Sequence, residues 1–386
     1  MSVRKRAWTT RKGEKKEAWI VDYTDQEGDR HIETFARKRD ADAYHAKISV
    51  EIGRGVHIAD SKSVTVAEAG RRWIASGEAA GLERTTLEQY RQHLKFHILP
   101  YLGERRLSQL TVPMIRDFQD RLRAGRSAAM VRKVIGSLGS LVADAQERGL
   151  VAQNVVRGLS RRKRGQHNEK RHKGKLEIGV DIPASEEIRA IIATLEGRWR
   201  PLLLTAIFTG LRASELRGLR WQDINLKKGE LHVRQRADRF NRIGKPKSAS
   251  SERTLPLPPI LVNTLREWKL ACPKGDPGLV FPNGIGRIES HANIINRALI
   301  PAQIAAGVVD RHAKAKYTGL HVFRHYYASW CINRRTDGGL ELPLKLVQAR
   351  LGHASIQMTA DRYGHLFERA DDGTEMAAAE QTLHAT

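Results

Sequence analysis

The chain of 386 residues carries a formal net charge of +24, which is tolerated mainly when the partner is a polyanion, and nucleic acid is the commonest one. Its length allows two or three domains. The sequence has no run of about 18 apolar residues, which a membrane span would need, and no apolar stretch near the N-terminus that would indicate a signal peptide. Its two cysteines, Cys272 and Cys331, are too few for a disulfide framework. An anionic membrane would call for an amphipathic basic helix or a lipidation motif, and neither is seen. We therefore expect a cytoplasmic protein associated with nucleic acid and not with a membrane.

Residues 1–60 predict a small sheet followed by a helix. Two runs rich in β-branched and aromatic residues, 19–23 and 31–35, flank a turn-forming cluster and indicate a hairpin. Apolar residues at helical spacing follow over 37–52. Seven basic side chains within 4–16 precede the hairpin. They suit a module that contacts DNA phosphates, and a solvated charged tail is the alternative interpretation.

Residues 63–160 have helical patterns and predict a helical DNA-binding domain. The predicted helices cover 66–74, 85–98, 112–122 and 128–147. Thr85 with Glu88 three residues later is the predicted cap of the second helix, and Gly149 ends the fourth. Basic side chains on these helices predict a DNA-contacting face, although such residues are also ordinary on a solvated surface: Arg84, Arg91, Lys95, Arg132 and Lys133.

Residues 161–177 predict an exposed basic linker, because the stretch from 161 to 175 has no apolar side chain to bury. The linker either follows the DNA backbone or is only a spacer, and its predicted DNA contacts are Arg161, Arg162, Lys163 and Arg164. A third, mostly helical domain follows over 178–386, with a β-hairpin near 230–257. The predicted fold class is therefore mainly α with small β elements.

Phosphodiester chemistry without a metal needs a nucleophile, cations on the phosphate oxygens, a proton donor and a proton acceptor. The segment Thr-Gly-Leu-Arg-Ala-Ser-Glu-Leu at 209–216 places Arg212 between two predicted helices, where backbone N–H groups favour an anion. Glu215, three residues later, is positioned to orient it. An ordinary surface salt bridge is the alternative interpretation of this pair.

Two further segments supply a lysine and a His-x-x-Arg pair. Lys247 lies in a polar loop between two predicted strands, where a lysine can act as a general acid, and Lys245 can do the same. His321 and Arg324 are one helical turn apart on one face. His321 and His325 also have the spacing of a metal-binding pair, but Val322 stands where a metalloprotease needs Glu. We predict no metal site.

The last segment, Leu-Gly-His at 351–353 followed by Asp-Arg-Tyr at 361–363, offers His353 and Tyr363. A single tyrosine is usually a packing residue, and only the order of all the segments makes Tyr363 a candidate nucleophile. These segments resemble the tyrosine recombinase (phage integrase) family, whose signature is Arg, Lys, His-x-x-Arg, His or Trp, and Tyr. The register of that signature favours Lys247 over Lys245. Residues 65–160 resemble its core-site-binding domain, and the N-terminal hairpin and helix resemble its arm-site-binding domain.

The resemblance implies a site-specific recombinase that cuts and rejoins double-stranded DNA at attachment sites through a 3′-phosphotyrosine on Tyr363. It implies that Arg212 and Arg324 stabilise the phosphate charge, Lys247 protonates the leaving oxygen, His321 accepts the tyrosine proton and His353 bonds the phosphate. It also implies a homotetramer on DNA in a bacterial host, helped by an accessory DNA-bending or excision factor, and no cofactor. A DNA-binding regulator without chemistry and a DNA-relaxing topoisomerase are the alternatives.

Overall fold

The computed structural model describes residues 1–9, 15–25, 27–53, 63–159, 175–246, 248–367 and 372–384. The chain forms two compact units, Met1–Arg164 and Gly165–Thr386. Helices predominate in the described ranges and the sheets are small and antiparallel, which confirms the predicted fold class. Among these ranges, no helix has both the length and the apolar character that crossing a membrane requires. The division of the first unit into two domains stays a prediction.

A three-stranded antiparallel sheet and one helix begin the first unit. Its elements are β1 Ser2–Thr9, β2 Lys15–Thr24, β3 Arg30–Phe35 and α1 Lys38–Gly53. The predicted hairpin is present in the register Trp19↔Phe35 and Tyr23↔His31. Val21 and Tyr23 lie on one face of β2 and pack against Ala41 and Ile48 of α1. The interpretation of the basic N-terminus as a tail was wrong for residues 2–9, because they pair with β2 along their whole length.

The remainder of the first unit is helical and has its own apolar core. Its helices are α2 Val66–Ala79, α3 Arg84–His93, α4 Leu99–Leu102, α5 Val112–Gly125 and α6 Ala128–Glu147. A π-helical turn, Leu94–Ile98, joins α3 to α4. The prediction that Thr85 caps the second helix was wrong: the helix begins after Glu83, and its Ncap makes no side-chain hydrogen bond.

The second unit packs helices around two apolar clusters. Its helices are α7 Ser185–Thr194, α8 Trp199–Thr209, α9 Ala213–Gly218, α10 Pro259–Ala271, α11 His291–Ile294, α12 Ile300–Ala305, α13 His321–Ile332, α14 Leu344–Leu351, α15 Ile356–Tyr363 and α16 Asp372–His384. Its strands are β4 Ile224–Asn225, β5 Glu230–Val233, β6 Arg236–Ala237, β7 Ile243–Gly244 and β8 Arg253–Pro256. The predicted hairpin corresponds to β5 and β8, which pair antiparallel, and β6 and β7 form a second small hairpin within the connection.

Candidate active site

Two helices of the second unit end at left-handed glycines, and candidate residues follow both. Gly210 ends α8 at φ 59° and Gly352 ends α14 at φ 64°, a backbone conformation that favours glycine. Close packing adds to this requirement at Gly210, where a Cβ would lie 2.6 Å from a ring carbon of Tyr327. The two turns present Arg212 and His353, which lie 140 or so residues apart in the chain.

The side chains of Arg212 and Arg324 bind the same two turns. Arg212 donates to the carbonyl of Gly352 at 3.1 Å, and Arg324 donates to the carbonyl of Gly210 at 2.9 Å and to that of Leu351. Arg212 therefore joins the first turn to the second, and Arg324 joins α13 to both turns. Three segments that are distant in the chain thereby meet at one place.

Arg324 is 1% exposed, whereas a third of the Arg212 side chain is accessible. Burial, and then the charges of Arg212 and Arg253, lower the pKa of Arg324 to about 9, against the opposing effect of Glu215. Arg324 is therefore still positively charged at pH 7. Arg212 is the more accessible of the two cations and Arg324 lies beneath the surface.

Glu215 is the buried anion that compensates these cations. Its carboxylate accepts from the Arg212 side chain at 2.7 Å and from the Arg212 backbone N–H at 3.0 Å. It also accepts from Arg253 at 2.9 Å. Burial opposes ionisation, but Arg253 and Arg212 outweigh it and lower the pKa of Glu215 to about 2. The predicted orienting contact with Arg212 is present, and the carboxylate is ionised throughout the neutral range.

Arg253 is a site residue that the sequence interpretation missed. It lies on β8, its side chain is 6% exposed, and it donates to the carbonyl of Arg350 at 2.7 Å as well as to Glu215. It therefore joins β8 to Glu215 in α9 and to the end of α14. The signal in the sequence was that Arg253 begins the strand after the predicted lysine loop. An arginine in that place is also typical of a surface strand.

His321, His325 and Tyr363 form a second group beside the arginines. The rings of His321 and His325 meet edge to face, with centroids 4.7 Å apart. His321 is exposed at the start of α13, but its ring is desolvated where it packs, and this effect and the charge of Arg324 lower its pKa to about 4. Tyr363 ends α15 and is 1% exposed. Its hydroxyl is 2.7 Å from Nδ1 of His325, so the phenol pairs with His325 and not with His321.

His353 follows Gly352 and is half-buried. Its Nδ1 lies 2.9 Å from the hydroxyl of Thr359 on α15, so the imidazole is fixed to the helix that carries Tyr363. Burial, followed by the charges of Arg324 and Arg212, lowers the pKa of His353 to about 4. The ring is therefore neutral at pH 7. Ser355 caps α15 by accepting from the N–H of Met358 at 3.3 Å, which fixes where this helix begins.

The remaining predicted residues are placed as follows. Lys247 lies outside the described residues, and Lys245 is exposed just beyond β7. The predicted DNA contacts of the linker, Arg161, Arg162, Lys163 and Arg164, lie outside the described residues too. The predicted contacts of the helical part all have exposed side chains: Arg84, Arg91, Lys95, Arg132 and Lys133. Arg91 also forms an ion pair with Glu78 of α2.

The arrangement can bind an anion and hold a phenol close to it. Arg212 and Arg324 provide the positive charge, neutral His353 provides a hydrogen-bonding ring, and Tyr363 provides a hydroxyl whose ionised form Arg324 and Arg362 favour. Such preorganised cations stabilise the charge that develops when a phosphate is attacked. Among the described residues, the candidate cluster of metal-ligating side chains is Asp25, Glu27 and Asp29, which is far along the chain from these groups.

Two family models match this chain. The model described as "Phage integrase family" matches residues 184–369, which include every candidate catalytic residue. The model described as "Phage integrase, N-terminal SAM-like domain" matches residues 65–123, which lie in the helical part of the first unit.

Characterised relatives extend over most of the chain. A protein named "Tyrosine recombinase XerC-like" from Caldanaerobacter subterraneus is 27% identical over 366 residues, covering 86% of this chain and 87% of the relative. The "Integrase" of Streptomyces ambofaciens is 26% identical over 374 residues, covering 91% of this chain and 90% of the relative.

Solved structures share the fold. The Tn1549 transposon integrase, in complex with a circular intermediate DNA, superposes with a TM-score of 0.63 at 15% identity over 83% of this chain and 100% of that one. The lambda integrase in a tetramer bound to a Holliday junction gives a TM-score of 0.56 at 17% identity over 90% of this chain and 95% of that one. With the two family models and the relatives that span most of its length, the chain belongs to the phage integrase family of tyrosine recombinases and is a site-specific recombinase.

Proposed function

We propose that this recombinase cleaves and rejoins double-stranded DNA at attachment sites through a 3′-phosphotyrosine bond to Tyr363, and so integrates or excises a mobile element. The observation that carries the proposal is the meeting of Arg212, Arg324, His353 and Tyr363, from four separated segments, around two glycine turns. Because the substrate is the DNA of a host and of its mobile element, we place the activity in the cytoplasm of a bacterial cell.

The scissile phosphate is proposed to bind above Arg324, against Arg212 and His353. Arg212 is the accessible cation, and a guanidinium can bind two phosphate oxygens at once. If the Thr359 hydroxyl donates to Nδ1 of His353, the neutral ring carries its proton on Nε2. The Nε2–H group can then donate a third hydrogen bond to the phosphate. The buried charge of Arg324 then faces the phosphorus from below.

The nucleophile must be activated when DNA binds. Burial raises the pKa of Tyr363 to about 12, so forming a free phenolate at pH 7 costs roughly 7 kcal/mol. Loss of the proton during attack, and not before it, avoids most of this cost. The Tyr363 oxygen forms a bond to phosphorus as the bond to the 5′-oxygen breaks, with His321 as the proposed acceptor of the phenol proton. The partner strand's 5′-hydroxyl reverses the step, so the energy of the ester is kept and no nucleotide cofactor is needed.

Lys247 is proposed to protonate the departing 5′-oxygen. A DNA substrate with sulfur in place of the bridging 5′-oxygen tests this role, since a thiolate leaves readily without protonation. Lys247→Ala should cleave ordinary DNA poorly and the sulfur-containing DNA at a rate near that of the unmodified protein. The matched control is Lys245→Ala, for which cleavage of both DNAs should be nearly unchanged. If Lys247→Ala cleaved both DNAs equally poorly, Lys247 would not be the proton donor. If instead only Lys245→Ala cleaved ordinary DNA poorly and the sulfur-containing DNA well, Lys245 would be the donor.

The first unit is proposed to bind the DNA that carries the cleaved phosphate. Exposed basic side chains on α3, α6 and the turn after α3 provide the contacts, and the net charge of +24 adds long-range attraction. We propose that the N-terminal sheet binds a second class of DNA site. Removing an individual phosphate contact, as in Lys133→Ala, should weaken binding to all sequences about equally and reduce the salt dependence of binding.

Strand exchange between two duplexes needs four cleavages, and we propose a homotetramer in which each subunit makes one. The C-terminal helix α16 exposes Met376 and Leu383, which are 74% and 78% accessible. These apolar side chains are proposed to dock on a neighbouring subunit. Deleting the residues after 372 should prevent tetramers on DNA in native mass spectrometry, and unchanged tetramers would refute the docking. An accessory DNA-bending or excision factor is proposed as a further partner.

The direct test of the proposed function uses a duplex selected by binding and nicked near the cleavage point, so that cleavage releases a short fragment and traps the intermediate. The full chain should form a covalent protein–DNA adduct, and Tyr363→Phe should form none. Tyr326→Phe, which alters a half-buried tyrosine of α13, is the matched control and should form the adduct. DNA binding without an adduct would favour a DNA-binding regulator. A protein that forms the adduct and relaxes DNA, but never produces recombinant junctions, would be a topoisomerase.

A further inference from the structure

The proposed nucleophile Tyr363 forms a buried pair with His325, a residue that has no role in the proposed cleavage step. The phenol oxygen is 2.7 Å from Nδ1 of the imidazole, and the two residues are 1% and 8% exposed. Their ring centroids are 5.9 Å apart and tilted by 57°, so the contact is a hydrogen bond and not ring stacking. His325 directly follows Arg324 on α13, and the same helix thereby contacts both the phosphate site and the nucleophile.

The surroundings keep both partners of this bond neutral. Burial, and then the charges of His321, Arg362 and Arg324, lower the pKa of His325 to about 3, against the opposing effect of Asp181. Burial also raises the pKa of Tyr363, although Arg324 and Arg362 partly oppose it. Both shifts oppose transfer of the proton from oxygen to nitrogen. Both partners therefore stay neutral, and the phenol donates the hydrogen bond in the tautomer of His325 whose proton lies on Nε2.

Packing holds the tyrosine in the same place. Its ring lies in an apolar cluster with Tyr327, Cys331, Val347 and Leu351, all of which are at most 1% exposed. A hydroxyl in this position is hydrogen-bonded to His325, and at 1% exposure the side chain of Tyr363 offers a phosphate almost no accessible surface. Cleavage therefore requires that the bond to His325 break and that the end of α15 move.

We propose that His325 is a positioning residue that holds the Tyr363 hydroxyl, protonated and buried, in the DNA-free protein, and that DNA binding releases it. This proposal rests on the proposed role of Tyr363 as the nucleophile. Its consequence is that the free enzyme has a masked nucleophile, so that cleavage is coupled to correct assembly on DNA. A general-base role for His325 is the competing interpretation, and the neutral environment of the ring argues against it.

Chemical modification of the DNA-free full chain tests the bond without using catalysis. Tetranitromethane nitrates accessible tyrosines, and mass spectrometry of peptides gives the rate at each one. Tyr363 should react slowly in the unmodified protein and in His325→Asn, whose amide oxygen can accept in place of Nδ1. It should react roughly tenfold faster in His325→Leu and His325→Gln, which lack an acceptor at that position, a factor that matches the loss of one buried hydrogen bond.

Tyr327 is the internal control for folding, because it is as buried as Tyr363. The result is taken from whichever acceptor-deficient variant leaves Tyr327 as slow as in the unmodified protein. Faster nitration of Tyr363 in that variant supports the proposal. Nitration of Tyr363 at the unmodified rate would overturn it, since the bond would then contribute nothing to masking.

The rate of covalent adduct formation separates a positioning role from a general-base role. With DNA that carries sulfur at the bridging 5′-position, the folded acceptor-deficient variant should form its first adduct faster than the unmodified protein, and His325→Asn should form it at a similar rate. If neither the acceptor-deficient variant nor His325→Asn formed the adduct, the proposal would be overturned and His325 would be identified as a base. An adduct in Tyr363→Phe would instead refute the proposed nucleophile, whatever the nitration rates show.

Discussion

Replacing Glu215 with Gln removes a buried anion that bonds to both Arg212 and Arg253, and we expect a large loss of stability. The folded-state pKa of about 2 lies below the ordinary value of 4.5, and this difference corresponds to about 3 kcal/mol of stabilisation at pH 7. Breaking a buried ion pair by removing one partner costs a similar amount, about 3–5 kcal/mol, because it leaves an uncompensated charge. The two estimates agree, and Arg253 is the residue left uncompensated, since its side chain is only 6% exposed.

The pH dependence gives the prediction a sign. A carboxyl whose pKa is lowered by folding contributes its full stabilisation above pH 4.5, and this contribution is lost as the pH falls from 4.5 towards 2. The difference in unfolding free energy between the unmodified protein and Glu215→Gln should therefore shrink over that range. The control is Glu186→Gln, which breaks an ion pair with Arg189 whose side chains are both more than 70% exposed, and it should change stability by less than about 1 kcal/mol.

Hydrogen exchange in increasing urea, measured by mass spectrometry on peptides from α8, α9 and α13, reports the unfolding free energy of the second unit separately from that of the first. The reasoning fails if Glu215→Gln loses no more stability than Glu186→Gln at pH 7. It fails equally if the difference from the unmodified protein stays constant down to the lowest pH at which the chain remains folded.

The remaining predictions concern charge, backbone and histidine titration. Arg324→Lys should bind DNA but form the covalent adduct at least 100-fold more slowly, because one amine cannot reproduce the bonds of the guanidinium, and single-turnover cleavage measures this. Gly210→Ala should lower the melting temperature far more than Gly149→Ala in calorimetry: both glycines have positive φ, but a Cβ has open space at 149 and meets the ring of Tyr327 at 210. NMR titration of the DNA-free protein should show His321 neutral down to about pH 5. The unfolding free energy of the second unit should fall as the pH drops from 6.5 towards 4, because His321 takes up a proton in the unfolded chain but not in the folded one.

Local patterns in the sequence selected candidate residues, but they do not show how the site is held together. Motif order selected Arg212, Arg324 and Tyr363 as candidates because helix-ending glycines and helical spacing are local signals. Arg253 was missed because its importance comes from contact with Glu215, which is 38 residues away and belongs to another element. His325 was considered only as a metal ligand, and no local pattern indicates that its ring faces residue 363.

The fold shows the same division between local and long-range information. Helix α6 was predicted at its observed bounds, because apolar residues recur at helical spacing and Gly149 follows its end. Strand β1 was missed because nearly all its side chains are exposed and its apolar residues do not alternate with polar ones, so no strand pattern marks it. Its backbone pairing with β2 holds it in place, and this pairing is invisible in a pattern of side chains.

The central claim is that the side chain at 363 becomes joined to DNA in a site built from Arg212, Arg324 and His353. Digesting the trapped adduct and sequencing the peptide that carries a nucleotide, by mass spectrometry, tests this claim most directly. We expect one modified peptide, with the nucleotide on Tyr363 through a 3′-phosphate. A nucleotide found on any other residue, or attached to Tyr363 through a 5′-phosphate, would contradict it.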